Sequence, residues 1–169
     1  MILGLSFESF TLLHTAISLI GILSGIIVLF AMLEGRSSPT MTALFLATTV
    51  LTSVTGFMFP FTTLLPSHIV GIISLGVLAA AIAALYVFRL GGAWRWIYVV
   101  GAVIALYLNV FVGVVQAFQK LSFLQPLAPT QSEPPFIVAQ STVLLIFIIL
   151  GFLAVKRFHP YGGGSGFPA

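Results

Sequence analysis

Residues 10–33, FTLLHTAISLIGILSGIIVLFAML, decide the fold, because this stretch contains no Asp, Glu, Lys or Arg. A helix rises about 1.5 Å per residue, so this length can cross the roughly 30 Å hydrocarbon core of a bilayer. Glu34, Gly35 and Arg36 then end the apolar run. Residues 1–10 lack the basic start and the small-residue cleavage site of a secretory signal. We therefore expect this helix to be retained as a membrane anchor.

The composition extends this prediction to the whole chain. Of its 169 residues, 60% are hydrophobic and 5% are charged, and the mean hydropathy is +1.23. Soluble domains carry roughly a quarter charged residues, so most side chains here must face lipid. The apolar runs are continuous and lack the alternation of barrel strands, so the backbone must be satisfied within helices. The sequence predicts an all-α integral membrane helical bundle.

Four further apolar runs, at residues 41–61, 68–88, 94–120 and 134–155, predict four more spans. Pro60 marks the end of the second helix. Leu64 to Ser67 forms a predicted turn, with Ser67 as the N-cap of the third helix, and Ser132 is the predicted N-cap of the fifth. Residues 1–160 form a single predicted domain, and the glycine-rich residues 161–169 form a flexible tail.

The basic residues predict the orientation of these five spans, because Lys and Arg favour the cytoplasmic side. With five spans, all but one of the six basic residues fall at one membrane face; these five are Arg36, Arg89, Arg95, Lys156 and Arg157. Lys120 alone falls at the other. The N-terminus is therefore predicted outside and the C-terminus in the cytoplasm. These basic residues lie at helix ends, so we expect them to set the topology. The pI near 9.7 therefore does not indicate nucleic acid as a partner.

Polar side chains gather near the extracytoplasmic face in this topology. Each predicted member of this set lies within roughly 10 Å of that face or in the loop above it; the members are His14, His68, Gln116, Gln119, Lys120, Gln131, Glu133 and Gln140. Polar groups in membrane helices are costly, so such a set is a functional-site hypothesis. We predict a ligand or partner pocket formed by the glutamines, Lys120 and Glu133. His14 and His68 are candidate cofactor ligands, although histidines near an interface also commonly bond water or loop carbonyls.

Small residues recur on two of the predicted helices. Ser18, Gly21 and Gly25 follow His14 on the first, and Gly101 and several later small or polar residues recur on the fourth. Such stripes let membrane helices approach closely and are mostly packing features. They predict that His14 and Gln116 point into the bundle. Asn109, near mid-membrane, is predicted to bond a neighbouring helix.

Four segments together resemble a group of small multi-pass inner-membrane proteins of proteobacteria that are described only as hypothetical. The segments are ALFLATTVLTSVTG (43–56), LPSHIVG (65–71), GAWRWIY (92–98) and APTQSEPPF (128–136). The resemblance covers residues 10–158 and implies a bacterial inner membrane. It implies no activity, cofactor or catalytic residue.

The sequence favours a non-catalytic component of a larger membrane complex, or a ligand-binding bundle with an extracytoplasmic polar pocket. Its partners would be lipid, other membrane subunits or further copies of itself. One alternative is a redox protein that binds haem b through His14 and His68. A second is an oligomeric channel or transporter. Enzymatic activity is disfavoured, since no catalytic residue can be assigned and the absence of cysteine excludes thiol chemistry and thiolate metal sites.

Overall fold

The structure, a computed structural model, describes Ile2, residues 4–60 and residues 66–160. Within these residues the chain is helical. The longer helices are α1 (Phe7–Leu33), α2 (Pro39–Gly56), α3 (Pro66–Ile82), α4 (Trp94–Lys120) and α5 (Pro134–Arg157), with a π-helical segment, Ala83–Val87, continuing α3. A short 3-10 turn, Gln125–Leu127, lies between α4 and α5. The predicted all-α class is confirmed for the described residues, whereas the predicted tail at 161–169 lies outside them.

Local capping chemistry fixes both ends of α1. At its start, the Ser6 hydroxyl accepts a hydrogen bond from the N–H of Ser9 at 3.1 Å. At its end, Gly35 adopts a left-handed φ of 72°, and the N–H groups of Gly35 and Arg36 bond back to the carbonyls of Met32 and Ala31. This double closure is a Schellman motif, which requires a residue that tolerates positive φ.

Several predicted helix ends need correction. Ser67 lies inside α3, which begins at Pro66, so it is not the N-cap. Ser132 does not cap α5 either: the N-cap is Glu133, without a side-chain cap bond, because the Ser132 hydroxyl is 2.6 Å from that of Thr130. The second helix ends at Gly56 rather than near 61. The predicted turn before α3 falls largely on residues 61–65, outside the described ranges.

Four helices in the described part of the chain are long and apolar enough to cross a membrane: Phe7–Leu33, Ser67–Val87, Trp94–Lys120 and Pro134–Arg157. These helices indicate a membrane protein. The remaining helix, α2, has 18 residues and is about 27 Å long at 1.5 Å per residue. It is less apolar than the other four because seven of its residues are threonine or serine.

Contacts between side chains show that successive helices run in opposite directions. At one end, His14 of α1 meets Thr55 of α2, and Phe57 packs on His68 of α3. The same end joins α4 to α5 through the rings of Phe118 and Phe136. We call it the polar end, defined by His14, His68, Lys120 and Glu133.

The opposite end, called the basic end, carries Arg36, Arg89, Arg95, Lys156 and Arg157. Arg95 at the start of α4 donates from Nη1 to the carbonyls of Val155 and Phe158 at the end of α5, both at 2.8 Å. Arg157 in turn reaches the carbonyl of Leu33 at 3.5 Å. The C-terminal ends of α1 and α5 and the start of α4 therefore meet at this end of the bundle.

Helix α4 lies at the centre of the bundle and packs against each of the other four helices. Gly101 makes the approach to α3 possible, since a Cβ there would lie 3.1 Å from the Cβ of Ala81. Gly25 does the same for α1, where a Cβ would lie 2.6 Å from Leu106 Cδ1. The predicted packing role of these small residues is confirmed. By contrast, α5 lies at the edge of the bundle, and its buried residues are Gln140 and Ala154.

Candidate functional site

His14 is held against the C-terminal part of α2. Its Nδ1 lies 2.8 Å from Thr55 Oγ1, and its ring meets Phe59 edge-on at 5.2 Å. The Thr55 hydroxyl donates its single hydrogen to the carbonyl of Leu51 at 2.7 Å. Because that hydrogen is used, Thr55 must accept from His14, which places the proton of a neutral imidazole on Nδ1. Nε2 is then the atom with the lone pair.

His68 is buried, with 5% of its surface exposed. Its ring lies 5.6 Å from that of Phe57, and the same phenylalanine fills the space beside Gly71, where a Cβ would lie 3.0 Å from Phe57 Cζ. The aromatic rings of Phe57 and Phe59 thus stand against the two histidines. Because both imidazole rings pack against aromatic side chains, the packing gives the haem hypothesis no support, and it stays a prediction.

A polar cluster lies deeper in the bundle, between α1, α2 and α4. Ser18 donates to Asn109 Oδ1 at 2.9 Å, and Asn109 Nδ2 lies 3.4 Å from the carbonyl of Ser18. Gly21 makes room for the amide, since a Cβ there would lie 3.0 Å from Asn109 Nδ2. The prediction that Asn109 bonds a neighbouring helix is confirmed.

Most hydroxyl groups of α2 donate hydrogen bonds to backbone carbonyls of the same helix. Thr48, Thr49, Thr52 and Thr55 each donate to the carbonyl four residues earlier, at 2.7 to 2.9 Å. Ser53 does so as well and lies 3.2 Å from the Ser74 hydroxyl of α3. This back-bonding, common in membrane helices, lets a threonine-rich helix sit in an apolar environment without unpaired hydroxyls. The Ser53–Ser74 contact was not predicted, because serines carry little signal in sequence.

The predicted pocket residues lie at the polar end, but they do not share one orientation. Gln116, Gln119 and Lys120 are exposed, and Gln131 adopts a left-handed φ of 60° in the loop. The prediction that Gln116 points into the bundle is wrong. At its level α1 packs on α2 through His14 and Thr55, so the face of α4 that buries Asn109 is left uncovered there.

Glu133 is engaged by its own loop. The Thr130 hydroxyl donates to Oε1 at 2.8 Å, and the N–H groups of Thr130 and Ser132 donate at 3.1 Å. Desolvation would raise the pKa of Glu133, but the hydrogen bonds from Thr130 and from backbone N–H groups outweigh it and lower that pKa below the ordinary value. Glu133 is therefore an ionised loop-ordering group rather than a proton donor at neutral pH.

Gln140 turns towards α4. Its Nε2 donates to the carbonyl of Phe111 at 3.2 Å, and the side chain is 9% exposed. Its Oε1 is buried without a hydrogen-bond donor among the described residues. A buried acceptor without a donor costs free energy, so this glutamine is the least satisfied polar group of the predicted set.

A groove that sequence reasoning missed lies between α4 and α5. It has a volume of ≈ 330 Å³ and is lined by apolar, aromatic and glycine residues between Val100 and Tyr107 on α4 and between Leu144 and Val155 on α5. Gly151 brings the helices together at its floor, because a Cβ there would lie 3.1 Å from Val103 Cγ1. We call it the α4–α5 groove.

The described residues contain no cluster of three or more His, Asp or Glu side chains that could hold a metal ion. No protein-family model, curated protein or solved structure matches this chain.

Proposed function

We propose that this chain is a non-catalytic component of a larger membrane assembly and that α5 is the helix that contacts the partner. Val138, Thr142, Leu145 and Ile149 follow each other at 4-3-4 spacing on α5 and are all exposed. At 3.6 residues per turn they share the face of α5 opposite to Gln140 and Ala154, its buried residues. We call this row the α5 stripe.

Thr142 is the observation that carries the proposal. It lies eight residues into α5 and is exposed, about 12 Å from the helix start and so within the hydrocarbon core of a spanning helix. Its hydroxyl makes no hydrogen bond to any described part of the chain, unlike the hydroxyls of the four back-bonded threonines of α2. Polar side chains in membrane helices usually face protein rather than lipid, and a hydroxyl in an interface can bond the neighbouring helix.

The proposal includes a location and a topology. The back-bonded hydroxyls of α2 support a fifth span, and the basic end supports an extracytoplasmic N-terminus with a cytoplasmic C-terminus. The proposed location in the inner membrane of a bacterium is based on the resemblance of four segments to proteobacterial membrane proteins. A ligand pocket at the polar end stays a prediction. An oligomeric channel also stays a prediction. A single protomer offers no continuous polar path, because its polar groups lie in one half of the bundle and the other half is closely packed with apolar side chains around Gly25.

A photo-crosslinking amino acid at Leu145, in the native membrane, tests the proposed interface. Ile72 of α3, which is also exposed, gives the matched control. We expect one discrete protein adduct from position 145 and none from position 72. The adduct mass, and its identification by mass spectrometry, separate a second 18.0 kDa copy from a different subunit.

Thr142→Val should lower the yield of that adduct about two- to threefold, because an interhelical hydrogen bond in a membrane averages about 0.6 kcal/mol. Thr15→Val, at an exposed threonine of α1 that back-bonds to Thr11, should leave it unchanged. Equal adduct patterns from positions 145 and 72, or lipid adducts alone, would overturn the proposal.

A further inference from the structure

The α4–α5 groove occupies only one half of the bundle. On α5 it extends from Leu144 to Val155, two residues before the helix ends at Arg157. That distance is about 16 Å at 1.5 Å per residue, which matches one leaflet of a hydrocarbon core roughly 30 Å thick. The groove is therefore about as long as one leaflet is thick, which is the length that a single acyl chain covers in the leaflet at the basic end.

The ammonium group of Lys156 lies at the end of this groove. Lys156 Nζ lies 4.4 Å from the centre of the Phe152 ring, and Phe152 lines the groove. Three other cations at this end have partners within the protein: Arg36 pairs with Glu34, Arg157 reaches the carbonyl of Leu33, and Arg95 donates to the carbonyls of Val155 and Phe158. Arg95 thereby neutralises the partial negative charge at the C-terminus of α5. Arg89 follows the π-helical segment that continues α3, so it does not belong to either helix of the groove. The positive charge of Lys156 is then available to a ligand.

Acidic residues at this end do not compete for such a ligand. The chain has three, and of these Glu8 and Glu133 lie at the polar end while Glu34 is paired with Arg36. We infer that the α4–α5 groove binds one acyl chain of an anionic phospholipid, whose phosphate lies at Lys156. This inference does not depend on the proposed partner, because the α5 stripe lies on a different face of α5 from the groove.

The charge must supply the selectivity. An acyl chain gains little hydrophobic free energy by leaving lipid for the groove, since lipid tails are as apolar as leucine. A Lys or Arg near the membrane surface attracts anionic lipid by about 1 kcal/mol, which is about fivefold in affinity. Preference for a headgroup should thus depend on Lys156, and total occupancy should depend on the shape of the groove.

Native mass spectrometry of the purified full chain tests this inference. The protein is titrated in detergent with dioleoyl phosphatidylglycerol or with dioleoyl phosphatidylcholine, which have the same chains and differ in net charge. We expect one phosphatidylglycerol to be retained about fivefold more tightly than phosphatidylcholine. Lys156→Gln should abolish this preference, whereas Lys120→Gln, which removes the lysine at the polar end, should leave it intact.

A second pair of variants tests the groove itself. Ile148→Trp replaces a side chain that lines the groove with a larger, aromatic one and should lower the retention of both lipids. Ile146→Trp, on an exposed residue outside both the groove and the α5 stripe, should not. A wild type without headgroup preference, equal effects of the two lysine variants, or equal effects of the two tryptophan variants would each overturn the inference. So would a groove closed by a second copy, seen as a lipid-free dimer.

Discussion

At the scale of single residues, the polar interior is built from a few reciprocal contacts. Ser18 and Asn109 exchange hydrogen bonds between α1 and α4, and His14 donates to Thr55 between α1 and α2. Each side chain meets a partner that no local sequence signal could identify. An interhelical hydrogen bond in a membrane contributes about 0.6 kcal/mol on average and at most about 1.7 kcal/mol. These contacts consequently specify which helix faces meet more than they stabilise the bundle.

A double-mutant cycle measures the Ser18–Asn109 contact. We expect Ser18→Ala and Asn109→Ala to show a coupling free energy of about 0.6 to 1.7 kcal/mol, because each variant removes one partner of the same hydrogen bond. Unfolding by a denaturing detergent from mixed micelles provides the free energies. Ser18→Ala combined with Ser74→Ala is the control, since Ser74 contacts Ser53 instead. Equal coupling in the two cycles would contradict the assigned contact.

At the scale of helices, close approach depends on where glycine is placed. A Cβ at Gly25 would lie 2.6 Å from Leu106 Cδ1 and 2.8 Å from Phe45 Cδ2, side chains of two different helices. Gly76 of α3 has open space, with no heavy atom within 4 Å of such a Cβ. The two glycines look alike in sequence, and only the packing of α1 on α2 and α4 separates them.

Gly25→Ala should destabilise the protein by about 1–3 kcal/mol, because the added methyl group overpacks a junction of three helices. Gly76→Ala should be neutral or stabilising by up to about 1 kcal/mol, since alanine is the better helix former and meets nothing there. The same detergent unfolding assay compares the two variants. A neutral Gly25→Ala would mean that α1 does not approach α2 and α4 this closely.

At the scale of the whole molecule, the bundle is divided into a polar end and a basic end. The basic end combines five cations with a tightly packed apolar core, and the polar end holds the histidines, the exposed glutamines and the loop ordered by Glu133. This asymmetry follows from helix direction, because each reversal of the chain returns basic residues to the same face. The proposed topology therefore depends on whether α2 crosses the membrane.

Single cysteines can report this topology, because the chain has none of its own. With five spans in the proposed orientation we expect Ser37→Cys and His159→Cys to react with a membrane-impermeant maleimide only after the membrane is permeabilised. Ser132→Cys should react before permeabilisation. All three residues are exposed. Labelling of positions 37 and 159 from opposite sides would indicate an even number of spans and would remove the proposed orientation.

The sequence by itself determined where most of the helices lie and how apolar they are, and it predicted the depth of each polar residue. Apolar run length, charged ends and prolines are local signals, so the predicted helices at 94–120 and 134–155 match α4 and α5 closely. The prediction of a shared depth for His14, His68 and Gln140 followed from helix direction alone. Helix caps were predicted less well, because Ser67 and Ser132 compete with neighbouring residues for the same role.

Only the tertiary structure decided which helices are neighbours and which faces are covered. It put α4 at the centre and α5 at the edge, left Gln116 exposed, set His14 against α2 and opened the α4–α5 groove. In a soluble protein the polar face of a helix marks the outside, but here lipid and protein interior are both apolar. A leucine or phenylalanine therefore carries no signal of which one it faces, and that choice is made by close packing.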